Sequence, residues 1–267
     1  MQVKDRLDVI LTEKGLFDSR EKAKAAIMAG EILVDGQRID KPGTKVDDAA
    51  EITIKEASCP YVSRGGLKLE KAIKSFDLDL QGVKAVDIGA STGGFTDCML
   101  RNGADHVYCI DVGYGQLDWK LRNDPRITNM EKTNVRYLDV DLIGTDVDFI
   151  SIDVSFISLK LVLPVAAELL REGGQIVSLV KPQFEAGREQ VGKKGIVRDP
   201  AVHRQVIEQV IGYAESCGLC PEGLDFSPVT GTKGNIEYLL FMTKKLCNNR
   251  VGEDAVRQVV EASHEQL

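Results

Sequence analysis

The sequence has no uninterrupted apolar run of the roughly 18 residues that span a bilayer. Its longest candidate, from Phe149 to Pro164, is broken by Asp153 and Lys160. The opening Met1-Gln2-Val3-Lys4-Asp5-Arg6 runs into further charge and offers no apolar segment of a secretory signal, so a soluble, cytoplasmic protein without membrane partners is expected. Histidine is scarce, with His106, His203 and His264 the whole set, and the one C-x-x-C spacing, Cys217 to Cys220, has no second pair. This argues against a zinc site, and no metal is expected. A chain of 267 residues needs no covalent staples, so the six cysteines are read as reduced thiols, with Cys217 and Cys220 as small fillers where a helix ends and a strand begins. Aromatic residues make up 6%, with one Trp, and Pro is limited to 8, yet 43% hydrophobic residues still allow a sizeable core. Extensive disorder is thereby excluded. Positive charge is not in surplus: the net charge is −7 and the pI near 5.2. Indiscriminate nucleic-acid binding is disfavoured, although a local basic face is not.

Such faces exist. Tyr61 to Ser75 carries Arg64, Lys68, Lys71 and Lys74 against Glu70, and Lys181 to Arg204 carries six bases against three acids. Between Asp139 and Glu172, by contrast, seven acids face two bases. The length fits a large domain with a small one. Near the start, a helix from about Leu7 to Lys14 breaks at Gly15, and a second begins after the N-cap candidate Ser19 and stops at Gly30. Ile32-Leu33-Val34 and Gln37-Arg38-Ile39 flank Asp35-Gly36, a type I′ hairpin signal, and Glu51 to Ile54 alternates as a third strand. A small α+β domain over residues 1–56 and a linker over 57–62, which contains Pro60, follow from this pattern.

Beyond the linker, apolar runs at 84–88, 106–110, 126–130, 148–152 and 175–180 are separated by helical periods. That alternation predicts right-handed crossovers building a mostly parallel sheet, closed by an antiparallel hairpin of 224–227 and 238–242. The first strand leads into D-I-G-A-S-T-G-G-F-T, Asp87 to Thr96, where glycines let the backbone approach a nucleotide. Ser91 stands where the dinucleotide fingerprint needs its second glycine, and Asp111, 24 residues after Asp87, is placed to accept from ribose hydroxyls. S-adenosylmethionine, which has no pyrophosphate, fits better than a nicotinamide cofactor. Asp153 and Lys181 follow the fourth and fifth strands and so open onto one crevice; Glu237 begins the last strand and Lys68 lies on the helix before the first.

These four residues, in this order, resemble the Lys-Asp-Lys-Glu tetrad of FtsJ-like RNA 2′-O-methyltransferases. The front segment, with Arg6-Leu7-Asp8, Ser19 to Ala23 and Ile27-x-x-Gly30-x-Ile32-x-Val34-Asp35-Gly36, resembles the αL-type or S-four RNA-binding module of a ribosomal protein. With S-R-G-G-L-K-L, D-V-G-Y-G-Q-L, D-V-S-F-I-S-L, L-V-K-P-Q-F-E and G-N-I-E-Y in register, the chain is similar over residues 4–243 to the TlyA family, whose members are called both hemolysins and ribosomal RNA methyltransferases.

The resemblance implies a Rossmann-like methyltransferase fold over 63–245 with a C-terminal tail over 246–267, helical by its valine spacing. It implies S-adenosylmethionine held by Asp87, Gly89, Ser91, Thr92, Gly93, Asp111 and Asn134, with Glu131 a weaker candidate for adenine. Lys181 is the candidate for activating the ribose hydroxyl, Asp153 and Glu237 for orienting the lysines, and Lys68 for completing the network. Arg6, Arg20, Lys22, Lys24, Arg38, Arg64 and Lys193 are implied RNA contacts, although residues 1–60 hold ten bases against twelve acids. Ribosomal RNA or its subunits would be the partner and a cytidine in 16S or 23S RNA the target. Phe156 and Phe184 are read as stacking on a base or filling the core, with core filling given at least equal weight for Phe156, and the loop from Gln183 to Val197 as a mobile RNA-gripping lid. An RNA-binding assembly factor with secondary catalysis stays open. A membrane-lytic activity lacks both an export signal and an amphipathic lytic stretch.

Overall fold

The computed structural model describes residues 4–17, 19–54, 59–247 and 251–267. Two compact units divide at Pro60 and Tyr61. Ala57 and Ser58, the first residues of the expected linker, lie outside the described residues.

In the first unit β1 (Lys4–Arg6) leads into α1 (Leu7–Glu13), followed by α2 (Arg20–Ala29), β2 (Ile32–Val34), β3 (Gln37–Arg38), β4 (Lys45–Asp47) and β5 (Ile52–Ile54). Ser19 caps α2 by accepting from the Lys22 amide, and Gly30 ends it in the left-handed region at φ 74°. Asp35 and Gly36 both have positive φ, as a type I′ turn between β2 and β3 requires. Two strands escaped the sequence reading: β1 and β4 pair antiparallel over three residues each, too short for alternation to register. Leu7, Leu11, Ile27 and Ile32 form the core of this unit.

Asp8 is fully buried at the start of α1, where it accepts from Arg6 Nε at 2.9 Å and Arg20 Nη2 at 2.8 Å. The Arg6 hydrogen bond is the main cause that holds its pKa down at about 2. The carboxylate therefore stabilises the fold above its ordinary pKa, and this contribution is lost as pH falls from about 4 toward 2. Because both arginines are half exposed, Asp8→Asn is expected to cost about 1–2 kcal/mol at pH 7, after allowance for solvent screening. Thermal unfolding of both proteins across pH checks this: the gap should close near pH 2, and a pH-independent gap would contradict it.

The second unit runs α3 (Gly65–Phe76), β6 (Lys84–Ile88), α4 (Gly94–Arg101), β7 (His106–Ile110), α5 (Trp119–Arg122), β8 (Ile127–Met130), β9 (Val147–Ile152), α6 (Leu163–Leu169), β10 (Leu170–Val180), α7 (Pro182–Glu185), α8 (Pro200–Ser216), β11 (Leu219–Phe226), β12 (Tyr238–Lys244) and α9 (Glu253–Gln266). The seven-stranded sheet has the order β11-β12-β10-β9-β6-β7-β8. Its β12 is antiparallel to both neighbours, whereas β10, β9, β6, β7 and β8 are parallel. Side chains alternate across it. Ala85, Phe149, Val177 and Leu239 pack under α3 and α4, while Val86, Ile150, Ile176 and Leu240 pack under α6, α8 and α9. The chain leaves β6 for β7 and β8 on one side and returns to β9 on the other, so a crevice opens at the carboxyl ends of β6 and β9.

One cysteine expectation is corrected. Cys217 and Cys220 do end α8 and begin β11, but Cys220 forms a disulfide with Cys247, whose Cα lies 4.7 Å away. The chain returns alongside β11 before α9, a proximity that a separation of 27 residues hides in the sequence.

Candidate active site

Two adjoining cavities occupy the crevice. The larger, of about 810 Å³, is lined by Lys68, Asp153, Lys181 and Glu237 together with the glycine loop. The smaller, of about 380 Å³, lies over the ends of β6 and β7 and shares Gly89, Ser91, Asp153, Ser155 and Phe156 with it. Ligands in the two would meet at Gly89 and Asp153.

Four elements deliver the charged group. Asp153 leaves β9 with its amide donating to the Ile88 carbonyl at 2.9 Å, which laces the ends of β6 and β9 together. Gly89 permits this approach: its φ is +87°, and a Cβ there would stand 2.5 Å from the Asp153 carbonyl oxygen. Lys181, at the end of β10, donates from Nζ to Asp153 Oδ1 at 2.5 Å and to Ser155 Oγ at 3.2 Å. Lys68 reaches in from α3, with Nζ 2.6 Å from Glu237 Oε2 and 3.6 Å from Asp153 Oδ2. The four residues form one chain, Lys181 to Asp153 to Lys68 to Glu237, with Lys181 and Glu237 buried. Burial works against the charge on Lys68, but Asp153 and Glu237 outweigh it and raise its pKa. Burial likewise works to raise the pKa of Asp153, and the two lysines reverse that and hold it below the ordinary carboxylate value. Two cations and two anions balance at this point, so the charges are satisfied without water.

The expected cofactor residues divide. Gly89 and Ser91 line both cavities, Thr92 the larger, and Asp111 and Asn134 the smaller. Asp111 accepts from the backbone amides of Ser91 at 2.8 Å and Gly113 at 2.7 Å, which aims its carboxylate along the pocket edge. Asp87 and Gly93 line neither cavity. The Asp87 side chain is 0% exposed and accepts from Thr96 Oγ1 at 2.6 Å and Ser151 Oγ at 2.9 Å; burial pushes its pKa up to about 6. It braces the turn from beneath. A Cβ on Gly93 would strike Leu117 and Leu121, so this glycine shapes the loop. Glu131 is turned away from both pockets, accepting from the Gly115 amide at 2.8 Å and from Arg122.

Of the two readings of Phe156, core filling is the one that the structure overturns. It is 90% exposed, holds a positive φ of 63°, lines both cavities and packs on Phe184 with ring centroids 4.8 Å apart. A strained, exposed aromatic at a cleft is not core filling. The expected lid is tied down at its far end. Asn235 accepts from the Val197 amide at 3.2 Å and donates to the Gly195 carbonyl at 3.0 Å, and His203 meets the Val197 carbonyl at 3.0 Å. Ser155, Gln183 and Asn235 also line the larger cleft and were not singled out in the sequence. Each lies within two residues of a tetrad member, a signal that could have found them.

Among the expected RNA contacts, Arg64 lines the larger cleft, and Lys193 joins Lys194 and Arg198 at a separate hollow of about 320 Å³. In the first unit Arg6 and Arg20 are exposed but fixed by Asp8, and Arg38 lies across Gly30. Lys22 is exposed on α2, and Lys24 pairs with Glu21 at 3.9 Å. Among the described residues no group of His, Cys, Asp and Glu is arranged to hold a metal, and no helix is long and apolar enough to cross a membrane.

A parallel sheet ending in an antiparallel hairpin, with a glycine loop after its first strand and an acid after its second, defines a methyltransferase of the Rossmann-like class. Residues 61–244 match the FtsJ-like methyltransferase family and residues 5–52 the S4 domain. The chain is 52% identical to YqxC of Bacillus subtilis (strain 168), over 99% of its own length and 95% of that protein. It is 41% identical to the 16S/23S rRNA (cytidine-2′-O)-methyltransferase TlyA of Mycobacterium tuberculosis (strain H37Rv), over 96% and 97%. A solved structure of a Streptococcus thermophilus protein that carries the name hemolysin superposes with a TM-score of 0.79 at 49% identity, covering 100% of this chain and 98% of that one. The chain belongs to the FtsJ-like methyltransferases and, among them, to the TlyA family.

Proposed function

We infer that this protein transfers a methyl group from S-adenosylmethionine to a ribose 2′-hydroxyl of ribosomal RNA, with a cytidine as the target nucleotide. The observation that carries the reading is the buried Lys181–Asp153–Lys68–Glu237 chain at the junction of a nucleoside-sized pocket and a wider cleft. The smaller pocket suits the donor. Ile88, Ile110, Val112, Val135 and Ile157 give it apolar walls for a flat base, Asp111 sits where ribose hydroxyls need an acceptor, and Asn134 edges it. Bound there, the cofactor supplies a methyl group on a positively charged sulfur.

The chain's own task is to present the nucleophile. A 2′-hydroxyl is a weak nucleophile until its proton is held elsewhere, so the site must align the oxygen and relieve it of that proton. Lys181, which lines the larger cleft, serves this either as a proton acceptor in its neutral form or, charged as it pairs with Asp153, by stabilising the developing alkoxide while the proton leaves to solvent. Asp153 fixes the direction of its Nζ, while Lys68 and Glu237 keep Asp153 in place and the cluster neutral. Phe156 and Phe184 offer faces on which the target base stacks, and Arg64 stands ready for a neighbouring phosphate. The S4 unit supplies Arg6, Arg20, Lys22, Lys24 and Arg38 to structured RNA, and Lys193 extends the contact from the second unit. Ribosomal subunits are thus the partners, which places the protein in the cytoplasm.

Titration calorimetry with S-adenosylmethionine and with NAD, followed by transfer of labelled methyl to 30S and 50S subunits, tests the reading. Binding of the first ligand alone and label in RNA are expected. Tight binding of NAD instead, or an unlabelled RNA fraction with sound cofactor binding, would contradict it. Asp111→Ala is expected to weaken cofactor binding by about 10- to 100-fold, since it removes the ribose acceptor and frees two amides that it now orders. The same calorimetry checks this, and an unchanged affinity would remove Asp111 from the pocket.

A further inference from the structure

The segment that carries Lys181 brings a polar side chain into the cleft that the tetrad does not use. Gln183 lines the larger cavity beside Phe184, two residues beyond Lys181. Its amide oxygen is buried and has no hydrogen-bond partner within the protein. The other such oxygen among the described residues, Ser178 Oγ, belongs to a fully buried serine within β10, so Gln183 alone holds an orphaned acceptor at the cleft. A buried carbonyl oxygen given no donor is disfavoured, and one in the lining of a cleft is a place where a ligand can supply the missing partner.

The surroundings narrow the ligand. Phe184, the residue after Gln183, forms an aromatic pair with Phe156 in the lining of the same cavity, and the four charged side chains of the tetrad are committed to one another. For a base stacked on the exposed face of that pair, Gln183 offers a neutral amide on a side chain whose rotatable bonds let it turn toward the base edge. An acceptor without a donor reads a donor. Cytosine offers an exocyclic amino group at position 4, whereas uracil offers a carbonyl oxygen there, which would face the amide oxygen acceptor to acceptor.

We propose that Gln183 is the specificity-determining residue of this site, its amide oxygen accepting a hydrogen bond from the amino group of the target cytosine and so rejecting uracil. This rests on the reading of the chain as an RNA ribose methyltransferase and adds the group that reads the base. Gln183 touches the base, not the reacting hydroxyl, so its loss changes which base is methylated more than whether methyl transfer occurs.

The test uses the full chain and reconstituted ribosomal subunits in which the position methylated by the wild type is a C or a U. Wild type is expected to favour C in kcat/KM by about tenfold or more. Gln183→Leu keeps the shape and deletes the orphaned oxygen. Its Tm should not fall, its affinity for S-adenosylmethionine should not change, and its C-to-U ratio should drop toward one. Gln183→Glu retains an acceptor and should retain the preference for C. A wild type without preference, or a Gln183→Leu variant that keeps the full ratio, overturns the proposal. Failure of the wild type to methylate either subunit, with cofactor binding intact, would instead sink the underlying reading and this assignment with it.

Discussion

Lys181→Met is expected to lower methyl transfer by roughly 10³-fold or more while leaving cofactor affinity within about twofold. Methionine keeps the side chain out to the lysine Cε but removes the nitrogen that donates to Asp153 Oδ1 and Ser155 Oγ. Lys181 lines the larger cavity and is absent from the smaller, which is why binding of the methyl donor should survive. Stability should fall as well, because Asp153 keeps only the more distant Lys68, at 3.6 Å. Lys181→Arg separates two modes of action. Arginine retains the charge but does not give up its proton, so an inactive Arg variant means that Lys181 must accept a proton, and a partly active one means that its charge suffices. Single-turnover transfer, run beside calorimetry, reads both. Weakened cofactor binding as the main defect of Lys181→Met would place the lysine elsewhere in the mechanism.

Gly89→Ala carries the second large effect, expected as a drop of about 10²-fold in kcat/KM together with weaker cofactor binding. Two costs coincide at this position. The residue sits at φ +87°, where an L side chain is strained, and its new Cβ would meet the backbone carbonyl of Asp153 at 2.5 Å. Backbone cannot swing aside as a lysine tip can, so the ends of β6 and β9 must part and carry Asp153 away from Lys181. Gly82→Ala is the control. It shares a positive φ of 72° but its nearest neighbour atom is 3.9 Å away, so it should lower Tm modestly and leave activity unchanged. If the two variants behaved alike, strain alone would explain the loss and the close approach would not matter.

The parts that the sequence made legible are those governed by local rules. Ser19 and Gly30 bound α2 because capping and left-handed geometry select those residue types, and Asp35-Gly36 turns because both positions need positive φ. Strand ends are readable wherever an apolar run meets a polar residue, which puts Asp153, Lys181 and Glu237 at one crevice, whereas Lys68, on helix α3, is legible only through the residue order that resembles the FtsJ-like tetrad.

What stayed hidden depends on direction and on distant contacts. Asp87 lies in the most conspicuous motif of the chain, yet Thr96 and Ser151 draw it into the sheet, and nothing local to D-I-G-A-S says that it points down while Ser91 points up. The sequence leaves Phe156 open between core and stacking surface, and only the backbone decides: its positive φ turns it out of the chain path after β9, where it is exposed. The disulfide of Cys220 and Cys247 and the anchoring of Gly195 and Val197 by Asn235 join segments that no period links.

Methyl transfer to a ribose oxygen leaves a product that one measurement reads directly. Subunits lacking their native methyl groups are incubated with labelled S-adenosylmethionine and wild-type protein, and the RNA is then hydrolysed in alkali. A 2′-O-methyl group blocks cleavage at its own phosphodiester, so label is expected in alkali-resistant dinucleotides and none with Lys181→Met. Label recovered in mononucleotides would mean methylation of a base, and would contradict activation of a ribose hydroxyl by Lys181 and its partners.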